Sequence, residues 1–331
     1  MHDQTVIKNQ RKILLTGASG FVGKTIAAAL SANNTPLICP SRSPLRALDR
    51  KVENPQIGDL SGDTDWSPYL TNVGIVIHCA ARVHVMHEAV SDPLPLFRQI
   101  NVDATMRLAE QAALAGATQF IFISSVKVNG DGTALGQPYT ETTPSEADDP
   151  YGISKYEAEN ALLALGERSG MRITIIRPPL IYGPGVKANF ASMLNWVKKG
   201  IPLPFASINN KRSLVYLGNL VSLVLCCLHN AQSGQQIFLV SDDHDLSTAE
   251  LLRLSAQAMK MRPRLLPCPP SVLICLAKLV GRPAITDRLC GSLQVDISKA
   301  KQLLGWTPPY SVEQGLSATV AALDTSIKTT S

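Results

Sequence analysis

Tyr151 and Lys155 stand four residues apart. On a helix that spacing puts both side chains on one face, one turn apart. An ammonium beside a phenol stabilises phenolate and lowers its pKa from about 10. Such a pair can take and return a proton near neutral pH. Upstream, Ser124-Ser125 ends an apolar run, and the polar loop from Gly130 to Asp149 bridges the run to the tyrosine. Asp149-Pro150 reads as the entry to the helix.

A second group lies near the N-terminus, in Leu15-Thr16-Gly17-Ala18-Ser19-Gly20-Phe21-Val22-Gly23. It follows an apolar run and opens a helical pattern, the context in which spaced glycines gain meaning. Gly17 permits a tight turn, Gly20 lets backbone approach a pyrophosphate, and Gly23 allows close packing of helix on strand. The helix N-terminus then offers its partial positive charge to the phosphates. The alternative is a glycine-rich turn with no ligand. The second apolar run ends near Ser41-Arg42-Ser43, with no carboxylate close in sequence. NAD-specific sites place an acidic residue there, whereas a guanidinium with hydroxyls suits a 2′-phosphate. NADP(H) is therefore the favoured cofactor, with NAD(H) the alternative and a solvated surface role for Arg42 also open. Asp59-Leu60 follows the next candidate strand, where the aspartate either reaches the adenine amino group or serves a turn.

The elements that must position these residues alternate. Apolar runs at Lys12 to Leu15, Pro36 to Cys39, Val73 to Ile77, Phe120 to Ile123 and Ile173 to Ile176 read as strands. Helical patterns span Phe21 to Ala32, Val102 to Ala115 and Tyr151 to Gly166. This order implies an α/β fold of the Rossmann type, a doubly wound parallel sheet built from right-handed βαβ units. Prolines thicken past Gly185, so residues 186–331 are expected to form a smaller C-terminal substrate-binding lobe after a dinucleotide-binding domain over 1–185. Leu214 to Val240, a strand-helix-strand pattern, is expected to return to the main sheet. Ser247-Thr248-Ala249-Glu250 reads as a capping box, and Gly305 as the stop of a helix from Ser298 to Leu304.

Composition narrows the field further. The 331 residues are 45% hydrophobic and 17% charged, which excludes a highly charged disordered chain. A net charge of +5 without a dense Lys/Arg block gives no reason to expect nucleic acid as a partner. The odd count of 7 cysteines, without metal-type spacing, points to reduced thiols and a cytoplasmic location. The N-terminal residues lack the apolar core of a signal peptide. Ser213 to Ser241 contains no Asp, Glu, Lys or Arg, yet polar residues break it too often for an integral membrane span. His84-Val85-Met86-His87-Glu88 superficially suggests a metal site, but no third ligand has diagnostic spacing, so no metal is expected.

In this order the motifs resemble the extended short-chain dehydrogenase/reductase family, in its nucleotide-sugar epimerase/dehydratase branch. The matching pieces are Thr16 to Gly23, Asp59-Leu60, His78-Cys79-Ala80-Ala81, Asn101-Val102, Ser124-Ser125, Tyr151 to Lys155, Arg177-Pro178, Tyr182-Gly183-Pro184-Gly185, Arg212 to Asn219 and Leu304-Gly305-Trp306. The resemblance implies a catalytic set of Ser125, Tyr151 and Lys155. It also implies cofactor contacts from Ser19, Phe21, Val22, Ala80, Ala81, Asn101 and Pro178, besides the residues already named. Two positions depart from the pattern: Asn129 replaces the tyrosine of Val-Tyr-Gly, and Asn219 replaces an aspartate.

Within the branch, Ala81 to Met86, Ser125 to Gly130 and Gly185 to Phe190 look like the 4-ketoreductases of UDP-N-acetyl-6-deoxyhexosamine synthesis for surface polysaccharides such as O-antigen. The expected activity is therefore NADPH-dependent reduction of a nucleotide-linked 4-keto sugar, with UDP the expected carrier. An NAD-dependent UDP-hexose 4-epimerase, which uses the same three residues, is the alternative. By the resemblance, Asn189 should bond near the diphosphate and Arg212 should pair with a phosphate, the alternative for Arg212 being a flanking surface charge. Arg288 is a second phosphate candidate. Arg82, His84, Ser125 and Lys127 are expected at the sugar. A homodimer is compatible with this reading.

Overall fold

The computed structural model describes residues 11–45, 51–83, 92–279 and 289–328. His84 and Arg288 lie outside them. Eight strands are present among the described residues: β1 (Lys12–Thr16), β2 (Leu37–Ile38), β3 (Val73–His78), β4 (Gln119–Ile123), β5 (Arg172–Arg177), β6 (Leu180–Tyr182), β7 (Leu214–Tyr216) and β8 (Gln236–Leu239). The helices that matter to the site are α1 (Phe21–Ala32), α2 (Leu94–Arg98), α3 (Ala104–Leu114), α4 (Pro150–Ser169) and α5 (Ala188–Lys198).

The chain divides into two compact units. The first comprises residues 1–130, 144–177 and 224–238, the second 131–143, 178–223 and 239–331. The main division falls after Arg177 rather than near 185, and two short segments exchange sides, 131–143 and, within the stretch expected to return to the main sheet, 224–238.

In the first unit six strands form one sheet in the order β2-β1-β3-β4-β5-β8. Neighbours from β2 through to β5 pair in parallel. Strands covered on both faces must be apolar along their length, and KILLT, QFIFI and RITIIR satisfy that requirement. Leu14, Val76, Phe120, Phe122, Leu108, Leu162 and Ile175 share one buried cluster beneath the helices. Strand order reverses between β1 and β3, so their carboxyl ends flank a crevice, the usual ligand position in such sheets.

The helix expected from Val102 begins differently. Gln99–Asp103 form a π-helical turn, and α3 follows from Ala104. The wider turn accompanies full burial of Asn101, whose side chain bonds to neighbouring segments. Helix α4 is entered as the sequence predicts: Asp149 caps it by accepting from Tyr151 N and Gly152 N at 3.0 Å each, and Gly170 closes it with φ +73°.

The second unit has its own two-stranded sheet, β6 with β7, over a core that includes Tyr182, Phe190, Leu194 and Leu246. The capping box on Ser247 and Glu250 and the left-handed Gly305 are both present. Only β8 of the strand-helix-strand pattern joins the main sheet. Strand β7 pairs with β6, and the backbone just before it is held by Arg212 N to Leu246 O at 2.9 Å and Ser213 N to Leu293 O at 2.8 Å. Among the described residues no helix is long and apolar enough to cross a membrane.

Candidate active site

The glycine loop leaves β1 and enters α1 under tight steric limits. Gly17 sits at φ +72°, and a Cβ there would meet Ala80 N at 2.7 Å. At Gly23 a Cβ would collide with Gly17 O. Both positions therefore require glycine. Gly20 caps α1 without a side-chain hydrogen bond, Ser19 and Gly20 are exposed, and Phe21 and Val22 are half-buried. The amides of the first turn are thus left to an external acceptor, and the cradle fits a dinucleotide pyrophosphate. Ala80 and Ala81 follow β3 across the crevice and are half-buried.

At the end of β2 the expectation needs correction. No carboxylate is near Arg42 in sequence, but folding supplies one: Arg42 Nη1 donates to Asp59 Oδ1 at 3.0 Å. The approach follows from Ser41 bridging Gln56, which lays the 53–59 segment along the edge of the sheet. Ser41 is buried, its hydroxyl donating to Ser43 O and accepting from Asn54 Nδ2, both at 2.7 Å. It is not the exposed hydroxyl a 2′-phosphate needs. Leu60 packs against the core of the unit.

Tyr151 and Lys155 share the inner face of the first two turns of α4. The Lys155 side chain is 1% exposed and donates to Ile123 O at 2.9 Å. Its ammonium lies 4.2 Å from the centre of the Phe122 ring and 6.0 Å from that of Tyr151. Burial pulls its pKa down to about 8, with Cys79 and Glu159 opposing the fall. An ammonium carries three donors, and one is spent on Ile123, so two remain for a ligand's hydroxyls.

The pKa of the Tyr151 phenol is not lowered as its spacing from Lys155 predicts: burial pushes it up to about 12, Ser125 opposing through a hydrogen bond and Asp149 adding to the rise. The ring packs edge-on against Phe97 at 6.4 Å. Ser125 caps a 3-10 turn, its Oγ accepting from Lys127 N at 3.2 Å. The structure therefore brings the three expected catalytic residues together. A phenol, a hydroxyl and an ammonium converging there can exchange a proton with a substrate oxygen.

The remaining expected residues are placed as follows. Asn101 Oδ1 accepts from Arg82 N at 2.8 Å, and its Nδ2 donates to Arg82 O and to Ser154 Oγ. Being wholly buried and bonded to protein, it positions the loop after β3 and the start of α4. The Arg82 guanidinium lies over Phe97, 5.5 Å from the ring centre. Lys127 pairs with Asp149 at 3.3 Å. Pro178, Asn189 and Arg212 belong to the second unit. Pro178 is buried, Asn189 is exposed in the first turn of α5, and Arg212 Nη1 donates to Gly291 O at 3.0 Å.

The sequence assigns no role to two buried groups: His78 stands only within a matching motif, and Glu159 is not singled out. His78 bonds to Thr16 at 2.7 Å and Thr105 at 3.0 Å, and burial holds its pKa near 3, so it is a neutral structural imidazole. Glu159, one turn beyond Lys155, forms an ion pair with Arg177. The i, i+4 step from Lys155 was the available signal for Glu159.

Comparison with known proteins adds to this geometry. The model of the NAD dependent epimerase/dehydratase family matches residues 13–241. The chain belongs to that family. It is an enzyme fold whose members act on their substrates with NAD(P). A Vibrio cholerae protein named UDP-glucose 4-epimerase is 45% identical over 95% of this chain and 96% of its own length. GDP-6-deoxy-D-mannose reductase of Pseudomonas aeruginosa is 28% identical over 96% of this chain and 99% of its own. Among solved structures, a UDP-glucose 4-epimerase from Thermotoga maritima, holding UDP-glucose, superposes with a TM-score of 0.76 at 22% identity, covering 96% of this chain and 99% of that one. That last likeness speaks for the fold alone. The resemblance seen in the sequence thus holds at the level of the family, while the first of these relatives favours the epimerase over the ketoreductase.

Proposed function

We propose that the protein is a nucleotide-sugar 4-epimerase acting on UDP-hexoses with retained NAD. The 45% identity to a protein named UDP-glucose 4-epimerase, over nearly all of both chains, carries this reading. The Asp59 carboxylate beside Arg42 supports it, because a 2′-phosphate brought there meets a like charge.

Gly17, Ser19, Gly20 and the first turn of α1 would hold the pyrophosphate, and Lys155 the nicotinamide ribose. When bound, the dinucleotide supplies the hydride acceptor and donor and, in its oxidised form, a positive charge that favours phenolate. Tyr151 then takes the proton from the sugar's 4-hydroxyl and later returns it to the carbonyl oxygen of the 4-keto sugar. Ser125 donates a hydrogen bond to that oxygen. Lys155 is still an ammonium below about pH 8, and the group that opposes the burial of the Tyr151 phenol is Ser125, through its hydrogen bond. Arg212 and Asn189 are the groups proposed for the diphosphate, with Arg82 and Lys127 toward the sugar.

A second reading has its own observation. Arg42 is a cation at the end of β2, and its pair with Asp59 is largely exposed, so it is free to turn toward a 2′-phosphate. NADPH-dependent reduction of a UDP-4-keto-6-deoxy-N-acetylhexosamine would use the same three residues.

One comparison separates the two. Purified protein is given UDP-galactose with no added cofactor, and separately NADPH deuterated at the transferred position with the 4-keto sugar. The epimerase converts the first and carries tightly held dinucleotide through purification. Stoichiometric NADPH consumption with deuterium at carbon 4, and no interconversion of UDP-hexoses, overturns it in favour of the reductase.

A further inference from the structure

Ser125 lies on the short segment 124–130 that follows β4, and a buried polar cluster grips that segment at both ends. At the near end Ser124 Oγ donates to Glu159 Oε1. At the far end Asn129 Oδ1 accepts from Arg177 Nη1 at 3.1 Å. Between them, Arg177 Nε reaches Glu159 Oε1 at 3.0 Å and Oε2 at 3.1 Å, and Arg177 Nη2 reaches Oε2 at 2.5 Å. Asn129 is 0%, Glu159 1% and Arg177 4% exposed.

A buried ion pair holds a geometry well only where its remaining donors and acceptors are also satisfied. Glu159 spends its lone pairs on Ser124 and Arg177. The guanidinium still has Nη1 to satisfy, and Asn129 supplies the acceptor. Asn129 is also the position where the sequence departs from Val-Tyr-Gly.

Glu159 sits eight residues after Tyr151 and four after Lys155 on the same helix. The cluster therefore ties the Ser125 segment to the element that carries the other two reactive side chains. Gly152 adds a steric lock, since a Cβ there would meet Lys127 O at 2.7 Å. Ser145 Oγ donates to Val128 O at 2.7 Å and completes the hold.

We propose that Asn129, acting through Arg177 and Glu159, is a positioning residue that fixes the Ser125 hydroxyl relative to Tyr151. It touches neither substrate nor cofactor in this assignment. The proposal rests on the functional reading above for its kinetic consequence, but not for the clamp itself.

The test compares wild type with Asn129→Leu, Asn129→Asp and Ser124→Ala, each as the full chain. Asn129→Leu removes the acceptor, Asn129→Asp keeps an oxygen facing Arg177, and Ser124→Ala loosens the opposite end with little risk to folding. On whichever sugar substrate the wild type turns over, Asn129→Leu and Ser124→Ala lower kcat about tenfold or more. KM for the sugar and affinity for the dinucleotide stay within about twofold, and Asn129→Asp recovers most of the rate. Wild-type kcat in Ser124→Ala and in folded Asn129→Leu overturns the proposal, as does a loss carried by KM alone.

Hydrogen exchange of residues 124–130 is followed in parallel, because it needs no turnover. Lys127, Val128, Asn129 and Gly130 amides are all hydrogen-bonded within the segment. Faster exchange there in Ser124→Ala, with 151–169 unchanged, supports the clamp even if neither sugar is a substrate and the functional reading fails. Unchanged exchange overturns the clamp whatever the substrate.

Discussion

Arg42 and Asp59 are joined at 3.0 Å between Nη1 and Oδ1, and both side chains are largely open to solvent. The contact sets a negative charge beside the cation proposed to meet a 2′-phosphate. Asp59→Asn removes the charge and frees the guanidinium. The ratio of NADPH to NADH affinity, from nicotinamide fluorescence titration, should then rise about tenfold, as expected for one hydrogen bond to a charged group. An unmoved ratio would show that Asp59 has no part in cofactor choice.

Tyr151→Phe keeps the ring against Phe97 and removes only the exchangeable proton. The rate of the chemical step should fall by about 10²–10⁴, with dinucleotide affinity nearly kept. Turnover at the wild-type rate, measured where chemistry is limiting, would exclude Tyr151 from proton transfer.

Much of this site is legible in the sequence because its signals are local. The glycine loop follows from one turn between β1 and α1, and Tyr151 with Lys155 from one helical repeat. The strands buried on both faces announce themselves as apolar runs. What the sequence hides is tertiary. Asp59 reaches Arg42 only because Ser41 bridges Gln56. Strand β7 has the same apolar pattern as β8, yet its pairing with β6 is decided by distant backbone partners at Leu246 and Leu293. Residues 131–143 pass to the second unit through contacts such as Tyr139 N to Gln294 O, and no periodicity in that polar loop foretells them.

Lys155 should cost stability as well as serve chemistry. Its pKa is about 8 in the fold against 10.5 for the unperturbed side chain. Between those values the unfolded chain binds more protons, so stability rises with pH across that window and the burial penalty is fully present below it. Lys155→Met should therefore abolish activity while raising the melting temperature by a few degrees at pH 7. The gain should shrink as the pH is taken toward 10. The Phe122 face and Ile123 O offset part of the penalty, so a gain that is small but fades with pH still fits. A melting temperature lowered equally at all pH values would contradict the argument.

Asn219 stands where the resembling family carries aspartate, and its neighbour explains why an amide is needed. Its Nδ2 donates to Asp242 Oδ1 at 2.7 Å and to Tyr310 O at 2.9 Å, while its Oδ1 accepts from Tyr310 N at 3.0 Å. Asp242 also accepts from Tyr216 N and Tyr182 Oη at 2.7 Å each, and burial raises its pKa. Asn219→Asp would replace a donor by a second carboxylate in the same enclosed site. Two adjacent carboxylates cannot both ionise cheaply, so one takes up a proton more readily in the folded state than in the unfolded chain. A carboxyl with a raised folded pKa loses stability as pH rises through the window between the two values. The variant should be less stable than wild type by about 3 kcal/mol near pH 8, within the range for a broken buried polar pair. The deficit should narrow as the pH is lowered toward 5. Chemical denaturation of both proteins at several pH values measures it. A deficit that does not change with pH would point to lost hydrogen bonds alone and remove charge repulsion as the reason for asparagine at this position.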